Sequence, residues 1–475
     1  MALSGFRLPG WDDIAGPALG GRSVVRIGIT GLARSGKTAF LTSVAANLLA
    51  QGAGLVTLPA LQAALQGRAL RVAIAPSGTE SIPRFDYAAH MASLAADPPA
   101  WPERTDTVSM LALDLTISRS GLASVLPERR IRLECLDYPG EWLLDLPMLA
   151  QDYEEWSGAV LTRLEGQAEA AGFLGFVKAL PASAPADEAI AEEGTRLYRA
   201  MLHRLREHGL SFLQPGRMLM PPPGLEPPWM GFFPSLARGG LGGLLSGRYD
   251  RYRQAIRDEL MAPSFGRVDR LVVMADLLSA LHAGPDAYAD AASALGAVAS
   301  ALRWRGGWTD SIPLLREAGR FLPEWLRSTL LPGTIARAAF VASKADHVAE
   351  RQRGNLAALM GLLTDSVPER FRQETARGGR TRAFAMASVR CTEDFVWTLD
   401  GHPVSAVRGR LTGSDRITRS YPGEVPDRPP EPSFWAHRFL APPDFEPMRL
   451  PAGGRAGIPH LGLDTLLAWL LEDVL

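Results

Sequence analysis

Apolar residues along the chain fall into two rhythms. Short apolar runs recur at Val24–Ile29 (VVRIGI), Met110–Ile117 (MLALDLTI), Ile131–Asp137 (IRLECLD), Arg270–Ala275 (RLVVMA), Ala338–Ala342 (AAFVA) and Ala383–Ala387 (AFAMA). Their shortness and β-branched content predict buried strands. Between them lie stretches with apolar residues every three or four positions, which predicts helices over Lys37–Ala50, Glu154–Leu180, Glu188–Arg206 and Tyr249–Leu260. Residues 55–100 fit neither rhythm. The Pro/Gly-rich stretch 215–247 predicts loop. Strands alternating with helices predict an α/β domain, split by a helical insertion between its third and fourth strands. The expected divisions are an N-terminal extension (1–21), the first part of the domain (22–141), the insertion (142–265) and the second part (266–475). That last part carries a Pro-rich segment at 422–432 and ends in an apolar helix, Leu463–Leu475.

Composition narrows the class. Of 475 residues, 47% are hydrophobic and 21% charged, enough to bury a large core. A formal net charge of −1 makes no electrostatic case for nucleic acid as a partner. Two cysteines, Cys135 and Cys391, are too few for a disulfide framework and suit a reduced, cytoplasmic setting. Residues 1–21 lack a basic stretch followed by an apolar one, so no secretory signal is expected. No run of about twenty apolar residues is present, so no spanning helix is expected. Peripheral attachment at a membrane stays open.

Three motifs carry chemistry. Gly31-Leu32-Ala33-Arg34-Ser35-Gly36-Lys37-Thr38, followed by Ala39, fits G-x-x-x-x-G-K-[ST] between a strand and a helix. The glycines let backbone N–H groups turn toward phosphate oxygens, and the helix start adds its partial positive charge. Lys37 would reach the β- and γ-phosphates, and the Thr38 hydroxyl would ligate Mg²⁺. Asp137-Tyr138-Pro139-Gly140 closes the third strand as D-x-x-G. Its carboxylate can hold Mg²⁺ and the Gly140 N–H can meet the γ-phosphate. Ser343-Lys344-Ala345-Asp346-His347 follows an apolar run and resembles the N/T-K-x-D loop that reads guanine. A carboxylate at Asp346 accepts from N1–H and the N2 amine of guanine, donors that adenine does not offer together. Ser388 and Val389 follow the last strand, where a backbone N–H can meet the guanine oxygen. The implied ligands are GTP or GDP with Mg²⁺.

With these motifs in order, the chain resembles the YcjX-like family of bacterial stress-associated GTPases. The likeness runs from about residue 20 to the C-terminus through GLARSGKTAFLT (31–42), SIPRFDY (81–87), DPPAWPERT (97–105), LDYPGEWLLDLP (136–147), LQPGRMLMP (213–221) and SKADHV (343–348). It implies a Ras-like P-loop domain with a helical insertion, GTP and GDP binding, and a bacterial cytoplasmic setting. It also implies a role in envelope stress, with a membrane protein as a candidate effector at the inner membrane. Ser343 stands where family-like sequences usually carry Thr.

Other residues are candidates for narrower roles. Thr105 or Thr107, in a Pro-flanked loop, could reach Mg²⁺ as a switch threonine. Glu141 follows Gly140 where Ras-type enzymes carry a water-positioning Gln, but a carboxylate there would be repelled by the γ-phosphate. Arg34 resembles the P-loop arginine of guanylate-binding-type GTPases, G-x-x-R-x-G-K-S, which acts as a finger in cis; a homodimer or partner would pin it. Leu314–Leu331 has helix-like apolar spacing with three arginines, interrupted by Pro323, and more readily packs on its own protein than on a membrane. Two other readings stay open: an ATP-dependent P-loop ATPase or kinase, and a nucleotide-regulated scaffold with little hydrolysis.

Overall fold

The computed structural model describes residues 22–475 apart from 33, 78–81, 104–107, 120–126, 211, 222–226, 258–267, 304–334, 365–379, 400 and 451–454. Ala33, Thr105, Thr107, the N-terminal extension and the 314–331 segment therefore lie outside the described residues. Two compact units emerge: residues 1–138, 268–282 and 304–475 form the first, and residues 139–267 and 283–303 the second.

The first unit is built on a sheet whose strands are β1 (Arg22–Gly31), β2 (Leu70–Ile74), β3 (Ser109–Ile117), β4 (Arg129–Asp137), β5 (Arg270–Ala275), β6 (Arg337–Ala342) and β7 (Arg380–Ala385). Their order is β2-β3-β4-β1-β5-β6-β7. β4, β1, β5, β6 and β7 run parallel, while β3 is antiparallel to β4 and β2 to β3. Every residue of β5 and β6 is buried, as central parallel strands covered on both faces require. The mixed α/β class expected from the sequence is the class observed. β2 lies in the stretch that fits neither rhythm. It has only five residues, with Leu70 buried and Val72 and Ile74 half-buried between the exposed Arg71 and Ala73, and pairs along one edge of the sheet.

The helix Leu463–Leu471 closes the apolar core of this unit through Leu463, Leu466, Leu467 and Leu470. The first residues of β5 and β6 hold its end. Arg270, 4% exposed, forks onto both oxygens of Asp473 at 2.7 and 2.6 Å. Arg337 donates to the Trp469 carbonyl at 2.7 Å and pairs with Glu472. Cations at a helix C-terminus are favoured by its dipole. The segment after Cys391 forms a second, three-stranded antiparallel sheet, β8 (Thr392–Leu399), β9 (His402–Arg410) and β10 (Ile417–Ser420).

The second unit is helical and has its own aromatic core. Trp156 stacks on Tyr249 at 5.2 Å and meets Phe232 at 5.4 Å and Tyr198 at 6.4 Å. Where one helix is expected over Glu154–Leu180, Gly166 turns the chain at φ +85° and leaves two, Tyr153–Leu164 and Ala171–Ala179. The expected loop 215–247 is partly helical. A helix runs Gly240–Ala255, starting earlier and ending earlier than the expected 249–260. Its glycines act by close approach: a Cβ on Gly242 would sit 2.1 Å from the Ala237 carbonyl oxygen, and one on Gly240 2.5 Å from the Ala186 nitrogen. Such glycines read as breakers in a sequence because packing partners are not visible there.

Candidate functional site at the carboxyl edge of the sheet

Five parallel strands present their carboxyl ends along one edge, where α/β folds of this kind bind ligands. Four of those ends, of β1, β4, β6 and β7, carry a residue named above or lie close to one.

β1 ends at Gly31, tight against β5. A Cβ there would lie 2.2 Å from the Met274 carbonyl oxygen and 2.7 Å from Ser35 Oγ. The next N–H, of Leu32, donates to that same carbonyl at 2.9 Å. The loop then uses two left-handed residues. Gly36 at φ +84° adopts that region freely, but Arg34 at φ +61° does so with a side chain, at a cost of about 1–2 kcal/mol. Its side chain is exposed. The helix Lys37–Gly52 starts at Gly36 with no side-chain cap and no acidic residue in its first turn. Its first N–H groups are thus left for an anion. Lys37 Nζ reaches back to the Gly31 carbonyl at 3.5 Å. Thr38 is half-buried, and its carbonyl accepts the Thr42 hydroxyl at 2.8 Å. Ser35 and Ala39 are buried, and Ser35 Oγ has no partner.

Asp137 closes β4 directly beside Ile29 of β1. It is 2% exposed, and its Oδ1 has no hydrogen-bond partner among the described residues. Burial pushes its carboxyl up to about 7, against the pull of the Lys37 charge. A buried acceptor without a donor is uncommon and calls for a ligand or ion. Asp137 and Thr38 are the oxygen donors a Mg²⁺ ion would use. Gly140 opens a short helix, Gly140–Leu143, and belongs to the second unit. The Glu141 side chain lies outside the described residues.

On the other side of β5 the base-reading candidates gather. Ser343 ends β6 and ties it to β5, with its N–H and hydroxyl both donating to the Ala275 carbonyl at 2.9 and 3.2 Å. Lys344 is left-handed at φ +59° and pairs with Asp276 at 2.6 Å. Burial alone would raise the Asp276 carboxyl, but the charge and hydrogen bond of Lys344, together with Ser279, hold it below its ordinary value. Asp346 is 1% exposed. Its Oδ2 accepts from the Cys391 backbone N–H at 2.7 Å and from the Cys391 thiol at 3.0 Å. Its own carbonyl accepts from the Thr392 hydroxyl. His347 is buried, which lowers its pKa, and its Nε2 lies 3.4 Å from the Cys391 sulfur. Ser388 and Val389 are buried at the end of the β7 segment. Val389 packs with Ala39 of the P-loop helix and with Ile458.

Asp346, His347 and Cys391 offer metal-ligand atoms within 4.8 Å of one another. A metal thiolate must be deprotonated. Here the thiol donates to Asp346, and burial, with that carboxylate beside it, pushes the thiol well above its ordinary value. The cluster is a hydrogen-bonded one.

Sequence reading missed Asp276 and Cys391. Asp276 had a signal, an acid directly after an apolar run (RLVVMAD), the pattern that marks Asp137 in IRLECLD. Cys391 had none, because its partner lies 45 residues away. Among the described residues, no helix is long and apolar enough to cross a membrane.

Residues 25–475 match the model of the YcjX-like family, DUF463. The chain is 33% identical over 468 residues to a protein of Escherichia coli K12 named Ras-like GTPase YcjX, covering 95% of this chain and 96% of that one. It is 32% identical over 485 residues to a protein of the same name from Shewanella oneidensis, covering 95% and 94%. With a cradle, a strand-end acid and a base-loop carboxylate along one edge of the sheet, and with this likeness over nearly its whole length, the chain belongs to the YcjX-like family.

Proposed function

We propose that this protein binds GTP and GDP and hydrolyses GTP to GDP and phosphate with Mg²⁺, as a nucleotide switch. The observation that carries this reading is the pairing of two unlike carboxylates at one sheet edge. Asp137 has an unpartnered buried oxygen beside the uncapped helix start, and Asp346 is a buried acceptor held in place in the base loop. The printed names of the relatives support the same reading.

In this reading Gly31 to Ala39 cradle the phosphates through backbone N–H groups, and Lys37 supplies their fixed cation. Thr38 and Asp137 would hold Mg²⁺, with Thr105 or Thr107 as a third contact; the ion neutralises phosphate charge. The Gly140 N–H senses the γ-phosphate. Asp346 reads the guanine edge beside Lys344 and His347, while Ser388 and Val389 border the base. Arg34, left-handed at φ +61° with an exposed side chain, would act as the finger that neutralises charge developing in the transition state. The stress-response role, the cytoplasmic setting, a membrane-protein effector and a homodimer rest on the family likeness or on the need to pin Arg34.

Titration with labelled GDP, GTP and ATP tests the reading. GDP and GTP should bind and ATP should not compete. Lys37→Ala should lose nucleotide affinity almost entirely. Asp346→Asn should weaken GDP by about 10- to 100-fold, the loss of a hydrogen bond to a charged acceptor, and improve xanthine nucleotides. Arg34→Ala should slow single-turnover hydrolysis with GTP affinity unchanged. Wild-type GDP binding by Lys37→Ala, or effective competition by ATP, would overturn the reading.

A further inference from the structure

Asp346 is buried in its loop, and among the described residues it forms no ion pair. The lysine of its own loop, Lys344, is committed to Asp276 at 2.6 Å. A carboxylate that reads the edge of a base must hold its plane. Here a single residue from another segment grips it. The Cys391 N–H at 2.7 Å and its thiol at 3.0 Å converge on the same oxygen, Oδ2. The neighbouring Thr392 hydroxyl binds the Asp346 carbonyl, so main chain and side chain are gripped together. The Cys391 sulfur also touches His347 Nε2 at 3.4 Å.

Resting on the guanine reading above, we propose that Cys391 is a positioning residue for base selectivity. Its two donors fix the plane of the Asp346 carboxylate, so that the other oxygen serves the N1–H and N2 amine edge of guanine. Cys391 need not touch the nucleotide; it acts through Asp346.

The test compares GDP with IDP, which differs only in lacking the N2 amine. The ratio of their Kd values reports the hydrogen bond to Asp346, whereas loss of general stability weakens both nucleotides alike. Cys391→Ala keeps the backbone N–H and loses the thiol. It should lower the IDP-to-GDP ratio about 3- to 10-fold, the fold-change of one ordinary hydrogen bond. Cys391→Ser, which keeps a donor, should restore the ratio. Cys391→Val keeps the volume without the donor; it should behave as alanine does, and it carries the test if the alanine variant does not fold. An unchanged ratio in Ala or Val, with both affinities falling together, would make Cys391 a packing residue and overturn the proposal. Failure of Ser to restore the ratio would overturn it as well. Asp346→Asn, measured alongside, separates this from the parent reading. If that variant leaves GDP binding intact, the guanine assignment itself fails; if it shifts binding and the Cys391 series does not, only the clamp fails.

Discussion

Asp137 and Asp145 are both almost wholly buried, both sit in one short stretch of chain, and they are kept for opposite reasons. Asp137, 2% exposed in the first unit, has an oxygen with no partner, and its carboxyl is pushed up to about 7 by burial. Asp145, fully buried in the second unit, is saturated. Its Oδ1 accepts the Gly216 N–H at 2.6 Å, and its Oδ2 accepts the Arg217 N–H at 3.2 Å and the Tyr252 hydroxyl at 2.5 Å. Burial still raises it to about 6, with Tyr252, Gly216 and Arg217 pulling it back. Burying a polar group costs free energy unless it is paired. The fully paired carboxylate is a structural clasp, and the part-paired one keeps an oxygen for the ion proposed above. Hydrogen-bond completeness, more than burial, separates these two acids.

Substitution at Asp145 gives the largest expected effect. Asp145→Ala strands two N–H groups and a hydroxyl, and removes the buried carboxylate on which the Arg217 charge acts. It should cost about 3–5 kcal/mol in denaturant unfolding. A loss below about 1 kcal/mol would break the comparison. Asp137→Asn should weaken Mg²⁺-dependent GTP binding by about 10- to 100-fold, yet leave the ligand-free protein as stable at pH 7.5 as before or more so. If Asp137→Asn unfolds the protein instead, Asp137 is a clasp like Asp145.

The pH dependence sharpens the contrast. Both carboxyls bind a proton more tightly folded than unfolded. Their contribution is therefore fully present below the ordinary carboxyl value near 3.8, and it is lost as pH rises through about 6 for Asp145 and about 7 for Asp137. Between pH 5 and pH 8 the wild type should lose about 2–3 kcal/mol relative to Asp137→Asn. Parallel stability curves for the two would remove the raised Asp137 from the account. The smallest effect belongs to Tyr252→Phe, which deletes one donor to Asp145. It should cost about 1 kcal/mol and leave GDP affinity alone, and a change in nucleotide binding there would show that the clasp communicates with the site.

Much of this molecule is written locally. Central strands such as RLVVMA and AAFVA announce themselves because both faces are covered, so the apolar run is unbroken. The P-loop, D-x-x-G and SKAD announce themselves because phosphate, ion and base each require particular residue types at short spacing. The sheet β8–β10 was locally marked too, by Asp400-Gly401 between alternating runs, with Gly401 at φ +82°. It was overlooked because the prolines that follow dominate the tail. In the five-residue β2 the alternation is blurred by Ala73, an apolar residue on the exposed face.

What the sequence determined by itself was therefore the fold class, the order of the motifs and the chemistry each can perform, since those depend on neighbours a few residues away. Only the tertiary structure decided which acids are satisfied. Asp145 meets its donors at Gly216, Arg217 and Tyr252, Asp346 meets Cys391, and Lys344 meets Asp276, all across separations of dozens of residues. A hydrogen bond depends on where two groups stand in space, and for residues so far apart in the chain that position is set by packing alone.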